Sequence, residues 1–234
     1  MATAKKTELV EIKPLDIQKV KIRIVGDSPL IMHNWSLKAA RQVEGPVVGM
    51  PVDIKESKVS KKKEARDPWY DFSESIYWID GKPEHPTEES LNEAFASGKA
   101  RIGFPVTSVK MAANSAAYRL GWVKDKMGLR GAYFIDSAGD ALTGTNNWVP
   151  CIEIHSDAPL MRADLVTVGV GGTDIRYRPE FRNWYADITI SYNASGKYSL
   201  NEIINVINAG GYICGIGEWR PEKDGVYGQF HVEA

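Results

Sequence analysis

The 234-residue chain predicts an α+β fold in which helices cover one face of an antiparallel sheet. Three observations carry that expectation. Residues 107–120 and 199–209 repeat apolar side chains at helical spacing. Several other segments alternate polar and apolar residues with the period of two that a half-buried strand requires. The two kinds of segment also interleave, as strand, helix and strands followed by strand, helix and strand. That is the order of a ferredoxin-like sandwich carrying insertions. The surplus of strands leaves room for a second small sheet.

Taken in order, residues 1–15 are polar and read as a loose arm, and 16–234 as one domain. Residues 18–25 (QKVKIRIV) place Val20, Ile22 and Ile24 on one face of a strand. Residues 26–35 (GDSPLIMHNW) leave it through a turn, and 36–42 could form a short helix. From 43 to 71, Gly-Pro, Met-Pro and Asp-Pro steps flank a lysine run, the pattern of an inserted loop. Residues 75–80 (SIYWID) read as a strand entering a turn at Gly81. A helix is expected over 87–97, with Thr87 as cap and Glu88 and Glu89 in the first turn, where carboxylates oppose the helix dipole.

The segment 107–120 is the clearest helix. Val109, Ala112, Ala113, Ala116, Ala117 and Leu120 form one stripe, and its small alanines predict close contact with a sheet. Thr107 or Ser108 caps its start and Gly121 ends it. Lys110, Asn114, Tyr118 and Arg119 lie on its other side. Further strands are expected at 132–135, 148–154, 164–170 and 183–192, the last turning Trp184, Ala186, Ile188 and Ile190 inward. The helix at 199–209 has the capping box Ser199 and Glu202, a stripe of Leu200, Ile203, Ile204 and Ile207, and a stop at Gly210-Gly211. Residues 227–232 close the fold as a strand.

Composition narrows the function classes. Hydrophobic residues are 43% and charged residues 25%, enough for a real core. No run of 18 apolar residues occurs, so no transmembrane helix is expected. The opening Met-Ala-Thr-Ala-Lys-Lys has no apolar stretch behind its lysines and does not read as a signal peptide. Two cysteines, Cys151 and Cys214, make no disulfide framework in a chain this long. The expectation is a soluble cytoplasmic protein.

The net charge of −1 is unevenly spread. Residues 55–66 carry a net +4 and residues 99–130 a net +6, which leaves −11 for the remainder. Segregation of this kind presents a positive surface to an anionic partner while the rest keeps the protein soluble. For the lysine run alone, a solvated loop is an equal reading.

Catalytic signatures are missing. His33, His85, His155 and His231 are isolated in sequence, with no second His or Cys at ligand spacing. No phosphate-binding GxxxxGK or nucleophile GxSxG occurs. Gly215-Ile-Gly217 follows a helix rather than opening one, against a dinucleotide site. Residues 136–140 (DSAGD) read as a turn between strands. No catalytic residue, metal or cofactor is therefore expected. A magnesium site assembled from scattered carboxylates and a ribonuclease site using His33 remain as alternatives.

Two features stand out instead. The polar face of the 107–120 helix, with Lys110, Asn114 and Arg119, continues into Trp122, Lys124, Lys126 and Arg130. Cations interleaved with aromatics suit a nucleic-acid strand, phosphates going to the cations and bases stacking on the rings. The second is residues 211–228 (GYICGIGEWRPEKDGVYG), where Gly215 and Gly217 precede Trp219 and Arg220. Glycines there would let the backbone approach a ligand and offer N–H groups to phosphate, or serve only the turns of a hairpin. Nearby, residues 174–182 (DIRYRPEFR) alternate Arg176, Tyr177 and Arg178, a further phosphate-and-stacking candidate.

Three stretches carry a family resemblance: the opening strand leading into GDSPLIMHNW, the helix start FPVTSVKMAANSAAYR, and the late GIGEWRPEKDGVYGQF. Together they resemble the RAMP superfamily, the RRM-like CRISPR-associated proteins whose members include subunits that polymerise along guide RNA. The matching positions are Ser28, Pro29 and Leu30; Pro105, Thr107, Ser108, Val109 and Lys110; and Gly215, Gly217, Gly225 and Gly228, about a third of the chain. Ala112 stands where the family's helix start has glycine, and no catalytic pattern of the cleaving members can be placed. The GEWRP wording also resembles proteins of tailed phages. The resemblance implies an RRM-like fold and a non-enzymatic protein that self-associates along single-stranded DNA or RNA. It would act as a homo-oligomer or filament, without a membrane, in a bacterial cell or phage-infected host. An endoribonuclease of the same family and a virion or assembly protein are the rival expectations.

Overall fold

The computed structural model describes residues 14–35, 66–168 and 172–233. Eleven strands, five α-helices and a short 3-10 helix (Pro221–Lys223) are found among them. In order they are β1 (Ile17–Gly26), β2 (Leu30–Ile31), α1 (Pro68–Glu74), β3 (Tyr77–Asp80), α2 (Glu88–Ala96), β4 (Arg101–Pro105), α3 (Val106–Arg119) and α4 (Met127–Arg130). There follow β5 (Tyr133–Ile135), β6 (Gly139–Leu142), β7 (Trp148–Ser156), β8 (Leu160–Val168), β9 (Gly172–Phe181), β10 (Trp184–Asn193), α5 (Leu200–Ile213) and β11 (Phe230–Val232). The fold is α+β, with a large antiparallel sheet and several helices.

The main sheet has eight strands in the order β11-β1-β10-β7-β4-β3, with β5 beside β10 and β6 beside β7. Its spine is the β1–β10 pair, in register from Ile17 opposite Asn193 to Val25 opposite Tyr185. Period-two alternation sends Ile24, Trp184, Ala186, Ile188 and Ile190 into the core, where Val109, Ala112, Ala113, Ala116, Ala117, Ile203 and Ile207 meet them. The expected second sheet exists, with the strand order β2-β9-β8.

Local signals place most helix ends. Thr87 caps α2 through Ser90, and Ser199 forms the capping box of α5 with Glu202. Gly121 follows α3 at φ +72°, the left-handed position that glycine occupies without strain. At the other end of α3 the expectation needs correction. Pro105 stands at the N-cap with no side-chain bond, so neither Thr107 nor Ser108 caps the helix. Proline's fixed φ suits a helix start, and the chain turns directly from β4 into α3.

Other expectations are corrected too. Residues 68–71 belong to α1 rather than to a loop, because Asp67 accepts hydrogen bonds from the Trp69 and Tyr70 amides and Pro68 sits at the first helical position. The DSAGD stretch is a turn only in part, since β6 begins at Gly139. The last strand is limited to Phe230–Val232. Gly210-Gly211 does not end α5, which continues to Ile213. A Cβ on Gly210 would lie 2.6 Å from the Ala113 amide nitrogen, and one on Gly211 would lie 2.0 Å from the Phe230 carbonyl oxygen. These glycines let α5 press against α3 and β11. The alanines of α3 accordingly meet a helix at this point as well as the sheet. The expected helix at 36–42, the lysine run of 55–65 and most of the N-terminal arm lie outside the described residues.

No described helix is long and apolar enough to cross a membrane.

Candidate nucleic-acid interface

The core stripe of α3 leaves Lys110, Met111, Tyr118 and Arg119 on its outer side. Lys110 Nζ donates to the Tyr133 carbonyl at 2.7 Å and lies 4.2 Å from the centre of the Phe134 ring. Burial lowers the pKa of its ammonium. Phe134 points outward and is 60% exposed. Tyr118 follows Lys110 by eight residues, about 12 Å along the helix at 1.5 Å per residue. Lys126 Nζ stands 5.6 Å from the Tyr118 ring and donates to Ser115 Oγ at 3.1 Å. Trp122, 54% exposed, Lys124 and Arg130 continue the same basic, aromatic segment. Among the described residues no carboxylate forms an ion pair with Lys110, Lys124, Lys126 or Arg130.

Asn114 is placed differently. It is buried, with Oδ1 facing the Tyr133 hydroxyl at 3.5 Å, and so serves the core rather than the surface. Burial raises the pKa of that phenol. Arg119 Nη2 pairs with Glu222 Oε1 at 3.3 Å, and Arg220 pairs with the other oxygen of Glu222 at 3.2 Å. Burial alone would raise the Glu222 carboxyl, but the two guanidiniums outweigh it and hold it low. Arg119, Lys126 and Arg220 thus gather at the C-terminal end of α3, with Glu222 cancelling part of their charge.

The glycine-rich segment is built from backbone facing backbone. Gly215 and Gly217 have φ of +64° and +84°. The Gly215 amide donates to the Gly210 carbonyl, Ile216 to Gly228, and Gly228 to Pro29. A Cβ on Gly217 would stand 2.5 Å from the Ile31 carbonyl oxygen. Those N–H groups are committed internally, and the glycines serve the close passage of the loop over β2.

Trp219, Arg176, Tyr177 and Arg178 belong to a separate cluster on the smaller sheet. Arg162 and Arg178 are cross-strand partners, and their guanidiniums lie 5.3 and 5.1 Å from the centre of the Trp219 ring. Arg176 Nε stands 3.1 Å from Asp174 Oδ2, and Tyr177 is half-buried against the core. His33 lies nearby. Burial, with Arg178 and Arg176 adding to it, lowers its pKa to about 4, so the imidazole is neutral near pH 7. No group of three His, Cys, Asp or Glu side chains among the described residues could hold a metal ion.

Sequence reasoning missed one further constellation, on the face of the main sheet away from α3. His155 stacks on Tyr185 with ring centres 4.9 Å apart, and Arg23 lies 4.4 Å from the centre of the same tyrosine ring. All three line an open cleft of about 690 Å³. The only signal was their out-facing parity on β1, β7 and β10, which gains meaning once the strand order is known. This face is electrostatically quenched. Lys19 pairs with Asp136, Lys21 and Arg23 with Asp187, and Arg101 with Glu153. On the α3–α4 surface Arg119 is paired with Glu222, while Lys110, Lys124, Lys126 and Arg130 form no ion pair among the described residues.

The chain matches no family model, and no curated protein matches it.

Proposed function

We propose that the protein binds single-stranded nucleic acid through the α3–α4 surface and acts without turning its ligand over. One observation carries this reading: among the described residues Lys110, Lys124, Lys126 and Arg130 form no ion pair with a carboxylate, Lys110 and Lys126 stand against the exposed rings of Phe134 and Tyr118, and exposed Trp122 lies in the same segment. Unpaired cations collect phosphates, and exposed rings accept bases whatever their identity. The ferredoxin-like, RRM-like reading of the domain is supported by the strand order β11-β1-β10-β5. In it α3 connects β1 to β5 through insertions and α5 connects β10 to β11. That arrangement accords with the resemblance to RAMP backbone subunits. Self-association along the strand, in a cytoplasmic setting, belongs to the same proposal.

Fluorescence anisotropy with labelled single-stranded DNA, single-stranded RNA and duplex DNA, each over a range of salt, tests it. Length-dependent and salt-sensitive binding to one single strand is expected. Absence of binding to all three at low salt would overturn it and transfer the exposed Met111, Leu120, Met127 and Phe134 to protein–protein assembly.

A further inference from the structure

Arg178 is 6% exposed and sits in the central strand of the smaller sheet. Arg162 is its partner on β8. On the other side the Met32 amide donates to the Pro179 carbonyl at 3.3 Å, which brings the next residue, His33, level with Arg178. Burying a guanidinium is costly unless its N–H groups are taken up. Here Nε and Nη1 are both buried and neither has a hydrogen-bond acceptor. Asp164 Oδ2, itself buried and unbonded, lies 3.7 Å from Nη1, and Glu218 Oε2 lies 3.7 Å from Nη2, ion-pair separations too long for a hydrogen bond. The Nδ1 of His33 is likewise buried and unbonded.

The neighbouring charges set the sign of what could fill this place. Arg66, Arg162, Arg176, Arg178 and Arg182 form ion pairs with Asp71, Asp164, Asp174, Glu180 and Glu218. Asp164 is tied through its other oxygen to Arg162. Glu218 is the outermost carboxylate of the group, its side chain 39% exposed. Once Glu218 swings outward, the cluster keeps one positive charge more than it has carboxylates.

We propose that Arg178 and His33 form an oxyanion site for a phosphate group, and that Glu218 is the resident carboxylate which the phosphate displaces. The Nε and Nη2 edge of a guanidinium presents two parallel N–H groups that match two phosphate oxygens, so the unbonded Nε gains an acceptor and Nη2 exchanges the distant Glu218 carboxylate for one. The site lies on the smaller sheet and stands whether or not the α3–α4 surface binds a strand.

NMR of the four histidine imidazoles during titration with inorganic phosphate, at ionic strength held constant with chloride, tests the site. A saturable shift of His33 is expected, with His85, His155 and His231 unmoved. Glu218→Gln removes the competing charge at the rim and should tighten phosphate binding roughly tenfold. Arg178→Lys keeps the charge but loses the fork and should weaken binding roughly tenfold. A second titration with a short single-stranded oligonucleotide separates the sources. A His33 shift that inorganic phosphate competes away assigns the site to a strand phosphodiester, and a response to inorganic phosphate alone assigns it to the free anion. If neither probe moves His33 saturably, the proposal fails. It also fails if phosphate affinity is unchanged in Glu218→Gln, a rim variant that decides the matter even where Arg178→Lys does not fold.

Discussion

Arg162 and Arg178 stand directly opposite one another on β8 and β9, and a single indole, that of Trp219, lies about 5 Å from both guanidiniums. Two like charges in direct cross-strand register repel. Asp164 and Glu180 offset them electrostatically, and the negative face of the indole covers them. Trp219→Ala should therefore lower stability by about 2 kcal/mol, and Trp219→Phe by less, measured by urea unfolding. A stable Trp219→Ala protein that has lost strand binding would instead give the ring to a base.

The contact between α3 and α5 rests on a residue with no side chain. Gly210→Ala would drive a Cβ into the backbone at Ala112 and Ala113, both fixed inside α3. Overpacking of this kind costs about 1–3 kcal/mol. Ala209→Gly, next in sequence, would lower stability by about 1 kcal/mol through helix propensity, with a small further loss of the packing its methyl makes against the core. Thermal melts of the two variants separate these causes, and equal losses would show that the helices yield.

This pair also shows where local sequence stops being informative. Thr87 and Ser199 were legible as caps because a cap is decided within four residues. Gly210-Gly211 carries the same string whether it stops a helix or admits a neighbour, and only the position of α3 decides between them. Arg176 and Arg178 were visible as candidates, but β9 as a strand was not, since its partners lie in β2 and β8. Within the candidate interface, Lys110, Trp122, Lys124, Lys126 and Arg130 were readable as one basic, aromatic run. Phe134 joins them through the Lys110 contact, which depends on β5 packing beside α3. Arg23, His155 and Tyr185 come from three strands and share no sequence signal.

Stability should fall with pH in two separate windows. The His33 pKa lies below its unfolded value near 6.5, at about 4. The unfolded chain therefore takes up that proton first, and stability present above pH 6.5 is lost progressively down to about 4. Asp187 is held at about 2 by its hydrogen bond from Arg23, against burial, with Lys21 assisting. Its contribution is complete above the unfolded carboxylate range near 3.9 and is lost as pH falls toward 2. Melting temperatures from pH 8 to 2 should show a shallower upper slope in His33→Gln and a shallower lower slope in Asp187→Asn. An unchanged upper slope in His33→Gln would mean that the imidazole titrates normally.

Phosphate contacts and stacking predict different signatures at the α3–α4 surface. Substituting Lys124, Lys126 and Arg130 together by Ala should weaken binding to every sequence alike and flatten the dependence of log K on log salt by about three phosphate contacts. Phe134→Ala or Trp122→Ala should cost about 1–3 kcal/mol per lost base stack and leave the salt slope in place. Lys110 falls between the two, since its ammonium is shared with the Tyr133 carbonyl and the Phe134 ring. Lys110→Met keeps most of the aliphatic packing and should remove only the charge, a change in slope of about one contact. Titrations of these variants at four salt concentrations distinguish the roles, and a salt slope unmoved by the triple substitution would take α4 out of the interface.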